Sequence, residues 1–235
     1  MDTKKLSLRL EKVASYVQPG ARLADIGSDH AYLPCALAAA GRIESAIAGE
    51  IIEGPFQIAT KQVERLGLQK MVTVRLGDGL TIIDPESDQL TAITICGMGG
   101  ALIASILEEG KQLKKLTGKE RLILQPNKDE AELRTWLVKH GYQMMHEALL
   151  EESGKLYEIM VAEKANFLPV VATEADIAFG FHLRKEKSPL FIKKWQNELA
   201  KNTQILADLS KSATEQSAKM NCFKARIDNI EELLR

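Results

Sequence analysis

The sequence predicts an α/β fold with a mostly parallel sheet, an antiparallel hairpin at one edge and a helical C-terminal appendage. Three observations lead to this prediction. Strand-like and helix-like patterns alternate along the first part of the chain, two longer apolar runs then flank a turn, and the C-terminal part has helical periodicity. The 235 residues, 45% hydrophobic and 27% charged, are enough to bury a substantial core.

Five short apolar runs rich in β-branched residues alternate with helical patterns. The predicted strands are Arg22–Ile26, Ser45–Ile51, Met71–Leu76, Thr91–Cys96 and Arg121–Leu124, and the helical patterns fall at 31–41, 54–66, 100–109 and 129–140. Such alternation is typical of parallel strands joined by right-handed crossovers, with helices covering both faces of the sheet.

The hairpin is predicted from the runs YQMMHEALL and KLYEIMVAE, which are separated by EESG. After Glu163 the segment KANFLPVVATEAD has a proline and no clear period, so we interpret it as a short connection. We therefore place one domain at 1–165 and a helical domain at 166–235.

The C-terminal region shows a three-four alternation of apolar or small residues, typical of a helix that packs along a narrow seam. The seam positions are 192, 195, 199, 206, 209, 213, 220, 223, 227, 230 and 234, with Asn202 at one further position. We predict an antiparallel helical hairpin that folds back near SKSATEQS, in a monomeric protein. A long helix that dimerises with a second chain is the alternative.

Charge is distributed unevenly along the chain. The net charge is −1, but the segment from Gly180 to Ile227 has ten Lys or Arg residues against four Asp or Glu. A basic segment of this kind suits a nucleic acid, although a solvated lysine-rich helix face has the same composition.

Membranes and metals are not expected as partners. No stretch approaches the roughly 20 apolar residues that span a bilayer, and the N-terminus lacks the apolar core of a secretion signal, so we expect a cytoplasmic protein. The three cysteines and His140, His146 and His182 have no metal-ligand spacing, so no metal is expected.

Glycine or polar residues follow every predicted strand of the parallel sheet, at the edge where such sheets bind ligands. These segments are Asp25–Ala31, Gly49-Glu50, Gly77-Asp78-Gly79, Gly97-Met98-Gly99-Gly100 and Gln125-Pro126-Asn127. The sequence therefore predicts a ligand site at the carboxyl edge of the sheet.

The acids at this edge indicate the kind of ligand. Glu50 is placed to accept hydrogen bonds from ribose hydroxyls, and Asp78 could accept one from an exocyclic amine. Asp25 and Asp29 would repel a pyrophosphate. S-adenosylmethionine, a cationic nucleoside, therefore fits better than a nicotinamide dinucleotide, although any single acid could instead cap a helix.

The motifs RL at 9–10, LADIGSDHAYLP, AGEI, GDGL, ICGMGG, LQPN and GKLYEI, in this order, resemble the bacterial tRNA (adenine-N1)-methyltransferase family that modifies adenine 22 in the D-arm. The resemblance covers essentially the whole chain. It implies a Rossmann-like class I methyltransferase domain, S-adenosylmethionine as donor, tRNA as acceptor and coiled-coil-like C-terminal helices. Asp29 and Ala31 replace glycines of the general methyltransferase pattern, and CGMGG stands where base-modifying relatives often have Asn or Asp followed by two prolines.

The resemblance also implies positions for the donor. It puts Asp25, Gly27, Ser28, Asp29 and His30 around the methionine half, Glu50 and Ile51 on the ribose, Asp78 and Gly79 on the adenine, and Cys96, Gly97, Met98 and Gly99 near the reactive methyl. Arg9, on an amphipathic N-terminal helix, is placed to reach the donor carboxylate, unless it is simply a surface charge.

The predicted reaction needs no proton removal, because adenine N1 has an in-plane lone pair. We predict that Asn127, beside Pro126, recognises the base, that Asp29 offsets the developing positive charge, and that Met98 lines the transfer site. A buried Asn closing a turn is the alternative for Asn127. Tyr157 either stacks on a base or belongs to the hairpin core, and a positioning role suits His30 better than that of a base.

The basic C-terminal helices are the predicted tRNA grip, with Lys193, Lys194 and Lys201 as binding residues. Two other functions remain open from the sequence. A small-molecule methyltransferase would use the same pocket without the helices, and a non-catalytic sensor of S-adenosylmethionine would use the helices to dock a protein partner.

Overall fold

The computed structural model describes residues 6–166, 170–210 and 217–235. The chain divides into two compact units, Met1–Phe181 and His182–Arg235. The first unit contains the whole sheet and the second is helical.

The sheet of the first unit has seven strands in the order β3-β2-β1-β4-β5-β7-β6. The strands are β1 Ala21–Ile26, β2 Ile43–Glu50, β3 Val72–Leu76, β4 Ala92–Met98, β5 Arg121–Pro126, β6 Tyr142–Glu152 and β7 Lys155–Lys164. Strands β1 to β5 pair in parallel, whereas β7 runs antiparallel to both β5 and β6. The predicted mostly parallel sheet with an antiparallel edge hairpin is confirmed.

Helices cover both faces of this sheet. They are α1 Leu8–Tyr16, α2 Tyr32–Ala39, α3 Glu53–Arg65, α4 Pro85–Asp88, α5 Gly100–Gln112, α6 Glu130–Lys139 and α7 Glu174–Phe179, with a 3-10 turn at Gly79–Ile82. One apolar core packs α1, α2 and α3 on one face through side chains such as Val13, Leu33 and Val63. The other core packs α5 and α6 through side chains such as Ile103 and Leu133.

The boundary between the units differs from the predicted one at 165/166. Helix α7 begins inside the segment interpreted as a connection, and the division falls after Phe181. A capping box at Thr173 and Asp176 starts this helix: the Thr173 hydroxyl accepts from the Asp176 N–H, and the Asp176 carboxylate accepts from the Thr173 N–H. The pattern Thr-x-x-Asp was the missed signal.

Two long helices pair in the second unit, after the short helix α8 Leu183–Glu186. Helix α9 spans Pro189–Ser210 and α10 spans Ser217–Leu234, and Arg226 of α10 forms an ion pair with Glu198 of α9 at 3.3 Å. Asn202 and Ile230, both predicted seam residues, are buried. The predicted intrachain hairpin is therefore present. Most of SKSATEQS, with seam position 213, lies outside the described residues.

Membrane-spanning helices and metal-binding clusters can be assessed only in the part of the chain that the structure describes. Its helices include none that is both long enough and apolar enough to cross a membrane. Residues 6–166, 170–210 and 217–235 contain no cluster of three or more His, Cys, Asp or Glu that could hold a metal ion.

Candidate active site

A cavity of about 360 Å³ opens at the carboxyl ends of β1, β4 and β5. It is lined by Arg9, Leu10, Asp25, Gly27, Ser28, Asp29, Tyr32, Leu33, Cys96, Gly97, Met98, Asn127 and Tyr157. Ten of these thirteen residues were predicted as site residues; the others are Leu10, Tyr32 and Leu33. The structure therefore brings the predicted methionine, methyl and base positions together at one place.

The Asp25 carboxylate lies at the floor of the cavity and is 4% exposed. One oxygen accepts a hydrogen bond from the Ser28 hydroxyl and the other from the Thr94 hydroxyl, both at 2.6 Å. Burial raises the pKa of Asp25 to about 6, and the nearby carboxylates Glu50 and Asp29 add to the rise. The site thus holds a cluster of acids that favours a cation.

The loop after β1 has a left-handed backbone over three consecutive residues other than glycine. Asp29, His30 and Ala31 have φ of 44°, 69° and 57°. Such conformations cost roughly 1–2 kcal/mol per residue, so the rest of the structure must hold them in place. Asp29 and Ala31 are the two residues that replace glycines of the general pattern, so their backbone keeps the glycine-like conformation.

The Glu50 carboxylate helps to hold this loop and can still accept a further hydrogen bond. The backbone N–H groups of Asp29 and His30 donate to it, but burial has the larger effect and raises the pKa of Glu50. Its Oε1 atom is buried and has no hydrogen-bond partner among the described residues. An unpaired buried oxygen is uncommon and costly, and a ribose hydroxyl is a donor that would satisfy it.

The end of β4 bends sharply into the cavity. Gly97 has φ of 79°, and the pairing with β5 shifts register between Cys96 and Met98. Gly27 has φ of 67°, which favours glycine, and a Cβ atom there would come within 2.2 Å of the Met98 methyl carbon, so the Met98 side chain would have to move. Burial raises the pKa of the Cys96 thiol far above its usual range, so it stays protonated and acts as lining.

A network of amides joins β5 to the bend in β4 and to helix α1. The Gln125 side-chain oxygen accepts from the Gly97 N–H at 3.0 Å and from the Arg9 guanidinium. Its Nε2 donates to Asn127 Oδ1 at 3.1 Å, and Asn127 Nδ2 donates to the Gly97 carbonyl at 2.7 Å. The alternative of a buried residue that closes a turn is met in part: Asn127 is exposed rather than buried, but its amide does hold the ends of β4 and β5 together.

The Arg9 side chain is half-buried and lines the cavity. Its guanidinium lies 5.4 Å from the centre of the Tyr157 ring and bonds to Gln125. Tyr157 is half-buried and lines the cavity, so it is available to a ligand there. The interpretation of Arg9 as a plain surface charge is wrong.

Several predicted residues lie outside the cavity. Glu50 ends β2 and Asp78 follows the neighbouring strand β3, with the Gly77 N–H bonded to the Glu50 carbonyl at 2.8 Å. Cavity-lining residues do not include His30, Glu50, Ile51, Asp78, Gly79, Gly99 or Pro126. Lys193, Lys194 and Lys201 belong to the second unit.

Sequence reasoning gave no role to two polar residues that organise the site, although it placed Gln125 at the ligand edge. Thr94 and Gln125 are both fully buried, and they hold Asp25 and the Arg9–Asn127 network respectively. Each is a polar residue inside an otherwise apolar strand, and that signal could have found them.

Comparison with known proteins identifies the family. The TrmK family model, described as tRNA (adenine(22)-N(1))-methyltransferase, matches residues 23–232. The chain belongs to this family. The resemblance inferred from its motifs is confirmed.

Three members of this tRNA (adenine(22)-N(1))-methyltransferase family match nearly the whole of this chain. The Bacillus subtilis tRNA (adenine(22)-N(1))-methyltransferase is 47% identical over 239 residues, covering 100% of this chain and 99% of that protein. The crystal structure of Streptococcus pneumoniae Sp1610 with S-adenosyl-L-methionine has 48% identity and a TM-score of 0.88, covering 98% and 100% of the two chains. The structure of M. capricolum TrmK with S-adenosyl-homocysteine has 30% identity and a TM-score of 0.83, covering 98% of this chain and 99% of that chain.

Proposed function

We propose that methyl transfer takes place in the cavity at the carboxyl edge of the sheet, with the donor lying along that edge from Asp25 toward Asp78. The chain is an S-adenosylmethionine-dependent methyltransferase that acts on N1 of adenine 22 in tRNA. The main support for placing the donor here is the buried Asp25 carboxylate, which is surrounded by hydroxyl groups and further acids.

The donor supplies a methyl group on a cationic sulfonium. Asp25 would hold the donor ammonium, and Arg9 offers the opposite charge for the donor carboxylate. Glu50 would accept from the ribose hydroxyls with its unpaired oxygen. The remaining assignments follow the family motif: Gly27, Ser28 and His30 beside the methionine half, Ile51 on the ribose, and Asp78 with Gly79 on the adenine.

The protein's contribution to the reaction is alignment and electrostatics. Because N1 of adenine has an in-plane lone pair, no residue has to remove a proton from it. Cys96, Gly97 and Met98, which line the cavity, would form the floor beside the reacting atoms, and the family motif adds Gly99 next to them in the chain. The Asp29 carboxylate, 82% exposed, would offset the positive charge that develops on the base.

We assign base binding to the mouth of the cavity. Asn127, next to Pro126, presents its amide there, and Tyr157 presents an aromatic ring. An adenine must leave its stack to reach such a cavity, so a ring and an amide are suitable partners for the extruded base.

The helical region predicted at 166–235 is our proposal for the tRNA-binding domain. Lys193 and Lys201 are exposed on α9 and Lys194 is half-buried, and basic side chains of this kind bind phosphates. A monomeric state and a cytoplasmic location remain predictions.

One assay tests the reaction. Purified protein is incubated with methyl-labelled donor and either unmodified tRNA, free nucleosides or total protein, and the RNA is then digested to nucleosides. We expect label only in N1-methyladenosine from tRNA, with loss of signal when adenine 22 is replaced by uridine. Label in free nucleosides would indicate the small-molecule alternative, and donor binding without turnover would indicate a sensor.

A further inference from the structure

The Asn127 amide at the mouth of the cavity has a fixed orientation. The Gly97 backbone N–H can only donate, so the Gln125 atom that it meets is the oxygen, and Gln125 Nε2 is left to donate to Asn127 Oδ1. At the other end the Gly97 carbonyl can only accept, so it meets Asn127 Nδ2. Both ends of the chain of amides are therefore set by the backbone of one residue.

The orientation is also protected from rearrangement. Gln125 is fully buried, and its Nε2 also donates to the Pro126 carbonyl at 2.8 Å. The Arg9 guanidinium donates to the same Gln125 oxygen as the Gly97 N–H. Flipping the Asn127 amide would place like groups against each other at both of its ends.

The remaining hydrogen-bonding capacity of Asn127 is thus defined. A primary amide has two N–H groups and two oxygen lone pairs, and one of each is used inside the protein. One N–H and one lone pair are left for a ligand. One base edge can satisfy both only if it presents an acceptor beside a donor.

We propose that Asn127 reads the Hoogsteen edge of the target adenine, donating to N7 and accepting from the N6 amine; this inference rests on the proposed binding of the base in this cavity. The Watson–Crick edge of adenine also has an acceptor beside a donor, but its acceptor is N1. A lone pair that forms the new bond to the methyl group is not available to a hydrogen bond. The Hoogsteen edge satisfies Asn127 and leaves N1 free.

The same contact makes Asn127 a specificity-determining residue. Guanine presents two acceptors, N7 and O6, on this edge, so the Asn127 oxygen would face another oxygen. The fixed amide cannot rotate to relieve that repulsion. Adenine is selected by the orientation that Gln125 and Gly97 impose.

The test uses tRNA with 7-deazaadenosine at position 22, which lacks only the N7 acceptor. Its N1 is more basic than that of adenosine, so lower chemical reactivity would not explain a loss. We expect the wild-type kcat/KM to fall about tenfold, the effect of losing one base-edge hydrogen bond. Asn127→Asp and Asn127→Ala should act more slowly on adenosine and distinguish the two substrates less than twofold, roughly within the error of such a ratio.

Gln143→Glu is the matched control. It also changes an exposed amide to a carboxylate, but Gln143 lies on β6 and does not line the cavity. It should keep the tenfold discrimination of the wild type, a difference of about 1.4 kcal/mol. Equal rates of wild type on both substrates, or discrimination that persists in Asn127→Ala, would overturn the proposal. Failure to form N1-methyladenosine in ordinary tRNA would instead overturn the proposed function.

Discussion

Asp25 shows how a single buried residue can prepare a site for a cation. Its two oxygens are held by hydroxyl groups, and the carboxylates Glu50 and Asp29 add to the rise of its pKa. The ionised carboxylate is therefore costly until a positive ligand arrives. Burial raises its pKa to about 6, above the value in an unfolded chain, so its ionisation lowers the free energy of unfolding as the pH rises from about 4 to about 6.

Donor affinity should consequently depend on pH. A bound ammonium favours the ionised carboxylate, so we expect affinity for S-adenosylmethionine to rise with pH through about 6 and to level off above it. Isothermal titration calorimetry at several pH values from about 5 to about 8 measures this affinity on both sides of the expected pKa. Asp25→Asn should bind more weakly at neutral pH and lose most of the rise; a remaining slope would come from Glu50, whose pKa is also raised. A flat wild-type profile would contradict the assignment.

The structure narrows the role of Asp29. No side chain caps helix α2, whose first residue follows Ala31, so Asp29 is not a helix cap. Its carboxylate faces solvent and the His30 imidazole, with Nε2 at 3.3 Å. We expect Asp29→Asn to lower kcat severalfold and to change donor affinity less than about twofold. An exposed, solvated charge contributes only about 0–1 kcal/mol to an interaction. Equilibrium donor binding and single-turnover rates separate the two effects; a larger loss of donor affinity would place Asp29 on the donor.

Two turns at the carboxyl edge depend on each other. The β4–α5 turn packs on the β5–α6 turn, and the Gly100 N–H donates to the Lys128 carbonyl at 2.7 Å. A Cβ atom on Gly100 would lie 2.2 Å from the Asp129 carbonyl oxygen, which belongs to the backbone and cannot rotate away. Glycine at this position therefore sets the place of Asn127 on the neighbouring turn.

Gly100→Ala should separate the two turns. We expect it to lower the free energy of unfolding by about 1–3 kcal/mol and to reduce methyl transfer. Gly54→Ala is the control, since this exposed glycine in the first turn of α3 has open space around it, and it should not lower the free energy of unfolding. Chemical denaturation measures both; an unchanged midpoint for Gly100→Ala would show that the turns can move apart freely.

A buried ion cluster joins α6, the edge hairpin and α7. Arg134 is fully buried and pairs with Glu147 at 2.8 Å and with Glu158, and it also donates to the Ile177 carbonyl. The hairpin it anchors carries Tyr157 into the cavity. The cluster thus connects the stability of the sheet edge with the shape of the site.

Arg134→Met should be among the most damaging substitutions in the first unit. It removes the Arg134 guanidinium from two buried carboxylates, at a cost of about 3–5 kcal/mol. Arg121→Met removes the partly exposed pair with Glu163 and should cost only about 0–1 kcal/mol. Urea unfolding at neutral pH compares the two, and similar losses for both variants would contradict the role of the buried cluster.

For the molecule as a whole, donor chemistry and RNA binding are assigned to different units. The acids of the site belong to the first unit, and the basic surplus falls almost wholly in the second. Two units of opposite character allow the donor and the RNA to be bound by separate surfaces, each with its own electrostatics.

Charge reversal tests this division. Lys193→Glu, Lys194→Glu and Lys201→Glu together should weaken tRNA binding and flatten its salt dependence, with donor affinity unchanged. The same three charges reversed at Lys61, Lys70 and Lys119, exposed on the first unit, form the control for net charge. Filter binding at several salt concentrations measures the slope. Equal losses for both triple variants would remove the helices from the mechanism.

Most of the fold follows from local patterns. The five parallel strands, the hairpin and the paired C-terminal helices were predicted close to their observed bounds, because apolar periodicity reports directly which face of an element is buried. Helix α7 and the boundary at Phe181 were missed, since its start depends on two polar residues, Thr173 and Asp176, rather than on periodicity.

The site was predicted as a set of positions but not as an arrangement. Because parallel strands end at one edge, the sequence by itself determined that Asp25, Glu50, Asp78 and Asn127 lie there, and that the edge is acidic. Only the tertiary structure decided what each group does. Gln125 comes between Arg9 and Asn127, Thr94 holds Asp25, and Glu50 keeps an oxygen unpaired. Hydrogen bonds between residues distant in the chain depend on atomic distances and orientation, which no local pattern encodes.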